Sequence, residues 1–131
     1  MMQQQHKHNS KMVHVTLYSS MLPMTTETCS QILMHGFQSY QTSVSDSNLR
    51  RLDWLKNNFG EFCKIGYQDH VAGEDYFAYT LPLLAIFKGA EVVEKHITLD
   101  KDMLGPDHKA SLEPDDFYTL VKSIRNIEKA I

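Results

Sequence analysis

An apolar stretch at residues 81–87, Leu-Pro-Leu-Leu-Ala-Ile-Phe, constrains the fold more than any other feature of this sequence. It has the length of a strand and no polar side, which is typical of a strand in the middle of a covered sheet. Residues 88–91 follow as a turn containing a glycine, and residues 92–98 return to an alternating pattern. The sequence therefore predicts a β-hairpin whose first strand is covered on both faces.

Strand and helix patterns alternate along the rest of the chain. Alternating apolar residues predict strands at residues 13–18 and 61–68, and helical spacing predicts helices at residues 29–37, 49–59, 71–80 and from 114 onwards. Pro114 supports the last helix, because the missing amide of proline costs nothing in a first turn. The predicted order is β-α-(α)-β-α-β-β-α, an α/β sandwich with a mixed sheet.

The composition is that of one ordinary domain, and it argues against several classes of partner. The chain has 131 residues, of which 42% are apolar and 22% charged, enough to bury a core without disulfides. Its net charge of −3 lacks the basic excess of nucleic-acid binders, and no apolar run approaches the roughly 18 residues of a membrane span. Residues 1–11 predict a flexible tail, and residues 12–131 a single domain. We expect the protein in the cytoplasm.

Two segments carry a resemblance to a known family. Residues 62–69 (FCKIGYQD) and 80–93 (TLPLLAIFKGAEVV) resemble the second half of a thioredoxin, in which a cis-proline precedes a buried strand and a Phe-Lys-Gly-like turn. The resemblance covers residues 61–131. It implies a thioredoxin-like three-layer sandwich with a mixed central sheet, in which Pro82 is the cis-proline and residues 38–59 are an inserted segment.

The active-site motif of that family is degenerate in this chain. Thioredoxins carry C-x-x-C at the amino end of the first long helix, where one thiolate attacks and the second cysteine resolves the mixed disulfide. This sequence has Thr26-Glu27-Thr28-Cys29 at that place or, in another register, Met21-Leu22-Pro23-Met24. Neither segment supplies a dithiol.

Two functions of different kinds follow from the resemblance. The first is a non-catalytic protein that binds another protein through the cis-proline edge and the adjacent loop. Its binding residues would be Met21, Leu22, Pro23, Thr26, Leu81 and Pro82. The alternative is a monothiol oxidoreductase or redox sensor that uses Cys29, although a packed core cysteine fits that position as well. A clock protein of the same fold is a third interpretation.

The sequence shows no spacing typical of a metal or cofactor site. Four histidines lie beyond residue 30, namely His35, His70, His96 and His108. They lack the H-x-x-x-H and E-x-x-H patterns of zinc sites, and no cysteine stands at ligand spacing from them. His6 and His8 lie in the predicted tail, where ordering two ligands is costly. We therefore expect no metal and no cofactor.

Overall fold

A computed structural model describes the backbone of residues 13–18 and the whole of residues 31–131. Within these residues lie four strands and three helices: β1 (Val13–Tyr18), β2 (Ile32–His35), α1 (Arg50–Phe59), β3 (Lys64–Asp69), α2 (Phe77–Phe87), β4 (Val92–Ile97) and α3 (Pro114–Glu128). Two short 3₁₀ turns, Val44–Ser47 and His108–Ala110, lie in the connecting loops.

The strands form one sheet in the order β1-β4-β3-β2. β2, β3 and β4 run parallel, whereas β1 pairs antiparallel with β4. Parallel neighbours need a long crossover between them, and α1 and α2 supply these crossovers in turn. The α/β class predicted from the sequence is therefore confirmed, and β1 makes the sheet a mixed one.

Helices α1 and α3 each bury one side against the sheet or against α2. The buried residues are Leu52 and Leu55 in α1, and Phe117, Leu120 and Ile124 in α3. They recur three or four positions apart, so they lie on one side of each helix. The two helices predicted for these segments are confirmed, and so are the strands predicted at residues 13–18, 61–68 and 92–98, with small differences at their ends.

The apolar stretch at residues 81–87 lies in helix α2, so the strand and the hairpin predicted for it are wrong. A short run without a polar side fits a buried helix as well as a central strand. α2 buries Ala78, Ala85 and Ile86 in the core that it shares with the sheet and α3. This packing decides in favour of the helix.

Leu81 and Pro82 are buried inside α2 and do not form the predicted binding edge. The resemblance to thioredoxins placed this proline at the start of a strand with a cis bond before it. The cis peptide bond recorded in the described part of the chain joins Tyr40 and Gln41 instead. Leu81 and Pro82 are therefore buried within a helix and do not lie at an exposed strand edge.

The helix predicted at residues 29–37 is also wrong, because Ile32–His35 form strand β2. This strand pairs in parallel register with residues 64–67 of β3, and the pairing overrides the helical spacing of its apolar residues. The helix predicted at residues 71–80 is displaced, since α2 begins only at Phe77. No helix in residues 31–131 is long and apolar enough to cross a membrane.

Candidate functional site

The parallel strands direct alternate side chains to two different faces of the sheet. Ile65, Tyr67 and Val93 belong to the apolar core that residues of all three helices join. We call this side the helix-covered face. The opposite side, which we call the polar face, carries Gln68, His70, Glu94 and His96, and none of these belongs to that core.

One end of the polar face lies at the edge of the sheet where the three parallel strands end. Tyr40 follows the end of β2, His70 comes directly after the end of β3, and His96 is the penultimate residue of β4. Carboxyl ends of parallel strands meet at one edge of a sheet, and this edge is where open and closed α/β folds place their ligand sites. The geometry therefore makes this edge the candidate functional site.

A row of hydrogen bonds crosses the polar face. Gln38 Nε2 donates to Gln68 Oε1 over 2.8 Å, and Gln68 Nε2 donates to Glu94 Oε1 over 2.6 Å. Because an ionised carboxylate only accepts hydrogen bonds, the Glu94 contact fixes which end of the Gln68 amide is the NH₂ group. The row thus holds a carboxylate and two amides in defined orientations.

Three aromatic rings gather beside this row. The ring centroids of His70 and His96 are 5.0 Å apart, and those of Tyr40 lie 4.7 Å and 5.6 Å from them, respectively. Each histidine is only 1% exposed, whereas Tyr40 is 42% exposed. Tyr40 therefore stands between the histidine pair and solvent.

The tautomer of neutral His70 follows from one contact. Its Nδ1 lies 3.0 Å from the Phe37 carbonyl oxygen, which can only accept, so Nδ1 carries the hydrogen. The lone pair of the neutral ring is then on Nε2, which is buried and has no hydrogen-bond partner among the described residues. His70 therefore presents a nitrogen that can accept a proton or ligate a metal.

The two imidazoles fit a divalent first-row metal in chemistry but not in number. Neutral histidine nitrogen is a common ligand of such ions, and an unpartnered buried nitrogen suits that role. In the described part of the chain, however, no group of three or more histidine, cysteine or acidic side chains is placed to hold a metal. A metal held by His70 and His96 would need further ligands, such as water or substrate.

A buried ion pair lies behind the histidines on the helix-covered face. Lys95 Nζ is 2.5 Å from Asp69 Oδ2, and both side chains are fully buried. Burial lowers the pKa of Lys95, and the Asp69 carboxylate opposes that effect. Burial, with Asp69 nearby, raises the pKa of Tyr67, whose hydroxyl donates to Asp69 Oδ1 over 3.2 Å. The tyrosine therefore stays a neutral donor.

The other two histidines of the described chain have structural contacts. His35 Nε2 donates to the carbonyl oxygen of Ser47 over 2.9 Å, and His108 Nδ1 lies 2.7 Å from the Thr98 hydroxyl. Both rings are buried away from the His70–His96 pair, and each fastens a loop.

A separate cavity of about 570 Å³ lies between β2, the first 3₁₀ turn and α1. Its lining includes Leu33, Leu55, Asp46 and Arg51. Gln68, His70, Glu94 and His96 do not line it, so we treat it separately from the candidate site.

The sequence analysis did not predict this site, and the reason is physical. His70 and His96 are separated by 26 positions and become neighbours only because β3 and β4 pair in register. Metal motifs with short spacing sit on one helix or turn, whereas this pair spans a βαβ crossover. The expectation that no metal site exists rested on spacing alone.

The structure describes only some of the remaining predicted site residues. Met21, Leu22, Pro23, Thr26 and Cys29 lie outside the residues that the structure describes. Leu81 and Pro82 are in α2, on the far side of the sheet from the polar face. The other cysteine, Cys63, is a partly buried free thiol whose Sγ lies 3.5 Å from the Phe59 carbonyl oxygen.

Comparisons with known proteins identify the family. Residues 5–131 match the NeuB family. The chain is 39% identical over 100 residues to an N,N'-diacetyllegionaminic acid synthase of Legionella pneumophila, a match covering 76% of this chain and 26% of that protein. It is 34% identical over 115 residues to the human N-acetylneuraminate-9-phosphate synthase, covering 88% of this chain and 30% of that protein.

A solved structure gives the same result. The crystal structure of a sialic acid synthetase from Leptospira borgpetersenii, in complex with citrate, superposes with a TM-score of 0.65 at 37% identity. The match covers 76% of this chain and 32% of that one. This chain thus spans about a quarter to a third of the length of these relatives.

These findings overturn the interpretation drawn from the resemblance to thioredoxins. The family match covers nearly the whole chain, and the solved structure described above is a sialic acid synthetase. Neither the non-catalytic thioredoxin-like binding protein nor the monothiol redox protein using Cys29 is therefore supported. The apolar run and its Lys-Gly turn, which suggested a thioredoxin, form a helix and its end instead. The chain belongs to the NeuB family.

Proposed function

We propose that this chain supplies part of the active site of a synthase that makes a sugar acid of the sialic acid class. One observation carries the proposal: the buried His70–His96 pair and Glu94 lie together where the parallel strands of a NeuB-family chain end. The relatives support the same class, since they are named for the synthesis of N,N'-diacetyllegionaminic acid and N-acetylneuraminate 9-phosphate.

The polar face suits a sugar substrate. Gln68 donates one amide hydrogen to Glu94, and no acceptor for the second is recorded among the described residues, so it can bind a hydroxyl or N-acetyl oxygen. Tyr40 presents a half-exposed ring and a phenol at the entrance to the face. Such a set of aromatic and hydrogen-bonding groups is typical of sites that bind polar small molecules.

His70 is the candidate for proton transfer. Its Nδ1–H is held by the Phe37 carbonyl, so the ring orientation is fixed and the buried Nε2 keeps its lone pair. A positioned imidazole can take a proton from a reacting hydroxyl and return it later, which contributes about 10²–10⁴-fold to a rate. Tyr40 limits the access of water to this nitrogen.

The same two imidazoles can hold a divalent metal. A metal held there would supply Lewis-acid polarisation of a substrate oxygen. The protein's part is to orient both rings, and the contacts of His70 with Phe37 and of both rings with Tyr40 do this.

A chimera tests the proposal directly, because this chain covers only part of its relatives. The matching 100-residue segment of the Legionella synthase is replaced by the corresponding segment of this chain. We expect the chimera to form N,N'-diacetyllegionaminic acid, detected by mass spectrometry. His70→Ala and His96→Ala should each lower the rate by about 100-fold, the scale of a lost acid–base group or ligand.

His35→Asn is the matched control for the loss of a buried histidine. His35 bonds loop carbonyls away from the polar face, so its variant should retain activity in proportion to its folded fraction, measured by circular dichroism. A folded chimera that stays equally active without His70 and without His96 would show that the proposal is wrong.

A further inference from the structure

We propose that Lys95 is a positioning residue that sets the geometry of the His70–His96 pair from the opposite face of the sheet. The inference rests on the proposed function of that pair. It assigns to the buried Asp69–Lys95 ion pair a role in binding chemistry and not only in packing.

Lys95 contacts the two residues that flank His70 in the sequence. Its Nζ lies 2.5 Å from Asp69 Oδ2 and donates to the Val71 carbonyl oxygen over 3.0 Å. Asp69 and Val71 are the residues on either side of His70. A single ammonium group thus holds the side chain of the residue before this histidine and the backbone of the residue after it.

The ladder of the sheet does not hold His70. The register between β3 and β4 ends with Asp69 opposite Lys95, so His70 stands one residue beyond the last paired position. His96 is the next residue of β4 after Lys95. The two Lys95 contacts therefore link β4 to the chain beyond the last paired residues, at the position of the two histidines.

The network around the ammonium group is internally satisfied. Asp69 Oδ1 accepts from the Val71 amide over 3.3 Å and from the Tyr67 hydroxyl over 3.2 Å. On the other side, His70 is held by Phe37 through Nδ1 and by the Thr42 amide through its carbonyl. Those contacts tie His70 to the segment after β2, whereas the hydrogen bonds of Lys95 to Asp69 and Val71 tie the residues on either side of His70 to β4.

Energetics favour a positioning role over a stabilising one. A buried ion pair loses the hydration of two charges, and replacing such a pair by apolar residues is often neutral or stabilising. A buried ion pair is therefore weak evidence for a stabilising role, and this one joins the two residues that precede the histidines, which favours a positioning role. Partners behind metal ligands typically change metal affinity by about 10–100-fold.

The test uses Co²⁺ as the probe on the full chain. Titration followed by visible absorption gives a dissociation constant and a band shape that reports the coordination geometry. His70→Ala defines the component at the pair, because His6 and His8 also offer nitrogen ligands. Asp69→Leu/Lys95→Met removes the ion pair whole and leaves no buried charge unpaired, and Asp69→Asn/Lys95→Gln keeps polar groups without charge.

We expect either double variant to bind Co²⁺ about 10–100-fold more weakly at the pair, with an altered band shape and an unfolding midpoint close to that of the unchanged chain. Should the Leu–Met variant not fold, the Asn–Gln variant carries the comparison. Asp53→Leu/Lys88→Met is the matched control, since it removes a partly exposed ion pair between α1 and the end of α2. Its Co²⁺ affinity should stay within about twofold of the unchanged chain.

Two outcomes separate the inference from the function on which it rests. A folded double variant with unchanged affinity and band shape overturns the role of Lys95 and leaves the proposed function standing. Co²⁺ binding that is the same in the unchanged chain and in His70→Ala overturns the metal-binding pair, and the role of Lys95 with it.

Discussion

The two faces of one sheet show how β3 and β4 combine packing with chemistry. On the helix-covered face, Ile65 and Val93 are buried in a core that residues from all three helices join. On the polar face, Gln68 and His96 contact other polar or aromatic side chains. Successive residues of the same strand therefore lie in different environments. One side packs in the apolar core, and the other side carries hydrogen-bonding groups and imidazole rings.

The contrast is sharpest at two neighbouring residue pairs. Asp69 and Lys95 face the helices, and each is followed directly by a histidine of the polar face. Since each histidine directly follows a residue of the ion pair, we expect a backbone shift at the ion pair to change the positions of the histidines. The comparison teaches that a residue can be structural by its contacts and still control a site that it does not touch.

Truncation on the helix-covered face should have the largest effect on stability. Ile65 is 1% exposed in the core cluster, so Ile65→Ala leaves a cavity and loses apolar burial. We expect the free energy of unfolding in urea to fall by about 2–5 kcal/mol. A loss below about 1 kcal/mol would mean that this face is loosely packed, and the contrast between the faces would disappear.

An added methyl group on the polar face should have an intermediate effect. Gly66 lies under the Met34 side chain, and a Cβ at this position would overlap Met34 Sδ and lie 3.2 Å from Val92 Cβ. Gly66→Ala should therefore cost about 1–3 kcal/mol, measured by urea unfolding.

A double-variant cycle locates the cause of that cost. If Met34 is responsible, Gly66→Ala/Met34→Ala should be more stable than the sum of the two single variants predicts. Strict additivity would place the clash at Val92 instead.

The sequence could predict most of the helix-covered face but not the polar one. The apolar spacing of α1 and α3 follows from their own residues, and both helices are where the pattern predicts them. Residues 81–87 could not be assigned from the sequence, because a run of apolar residues has no periodicity that distinguishes a helix from a strand. The histidine pair was beyond reach, since only the pairing of β3 with β4 brings His70 and His96 together.

Removal of a polar-face amide should change stability less than either substitution above. Gln68 is partly exposed and bonds Gln38 and Glu94, and water can replace it when it is lost. Gln68→Ala should lower the free energy of unfolding by about 0.5–1.5 kcal/mol, measured in urea beside Ile65→Ala. A cost as large as that of Ile65→Ala would indicate that the polar face is part of the core.

The smallest effect is expected at an ion pair that lies on neither face. Lys109 donates to Asp102 over 2.6 Å in the loop after β4, and this contact lowers the pKa of Asp102 below its usual 3.8. A carboxyl with a lowered pKa in the folded chain adds stability above its unfolded pKa and loses it as the pH falls. Both groups are exposed to solvent, so unfolding should barely register the loss of the pair.

The pKa itself is the sensitive measurement for this pair. In Lys109→Met the pKa of Asp102 should rise towards 3.8, followed by NMR titration of its carboxyl carbon. Lys101→Met is the control, because Lys101 contributes less to that lowering and bonds Asp116 instead. Equal shifts in both variants would trace the effect to the general charge of the loop. A shift in Lys109→Met alone would show that contact with one lysine is enough to lower the pKa of an exposed carboxyl. The same contact should leave the free energy of unfolding nearly unchanged. The Asp69–Lys95 pair differs from it by burial, since both of its side chains are shielded from solvent.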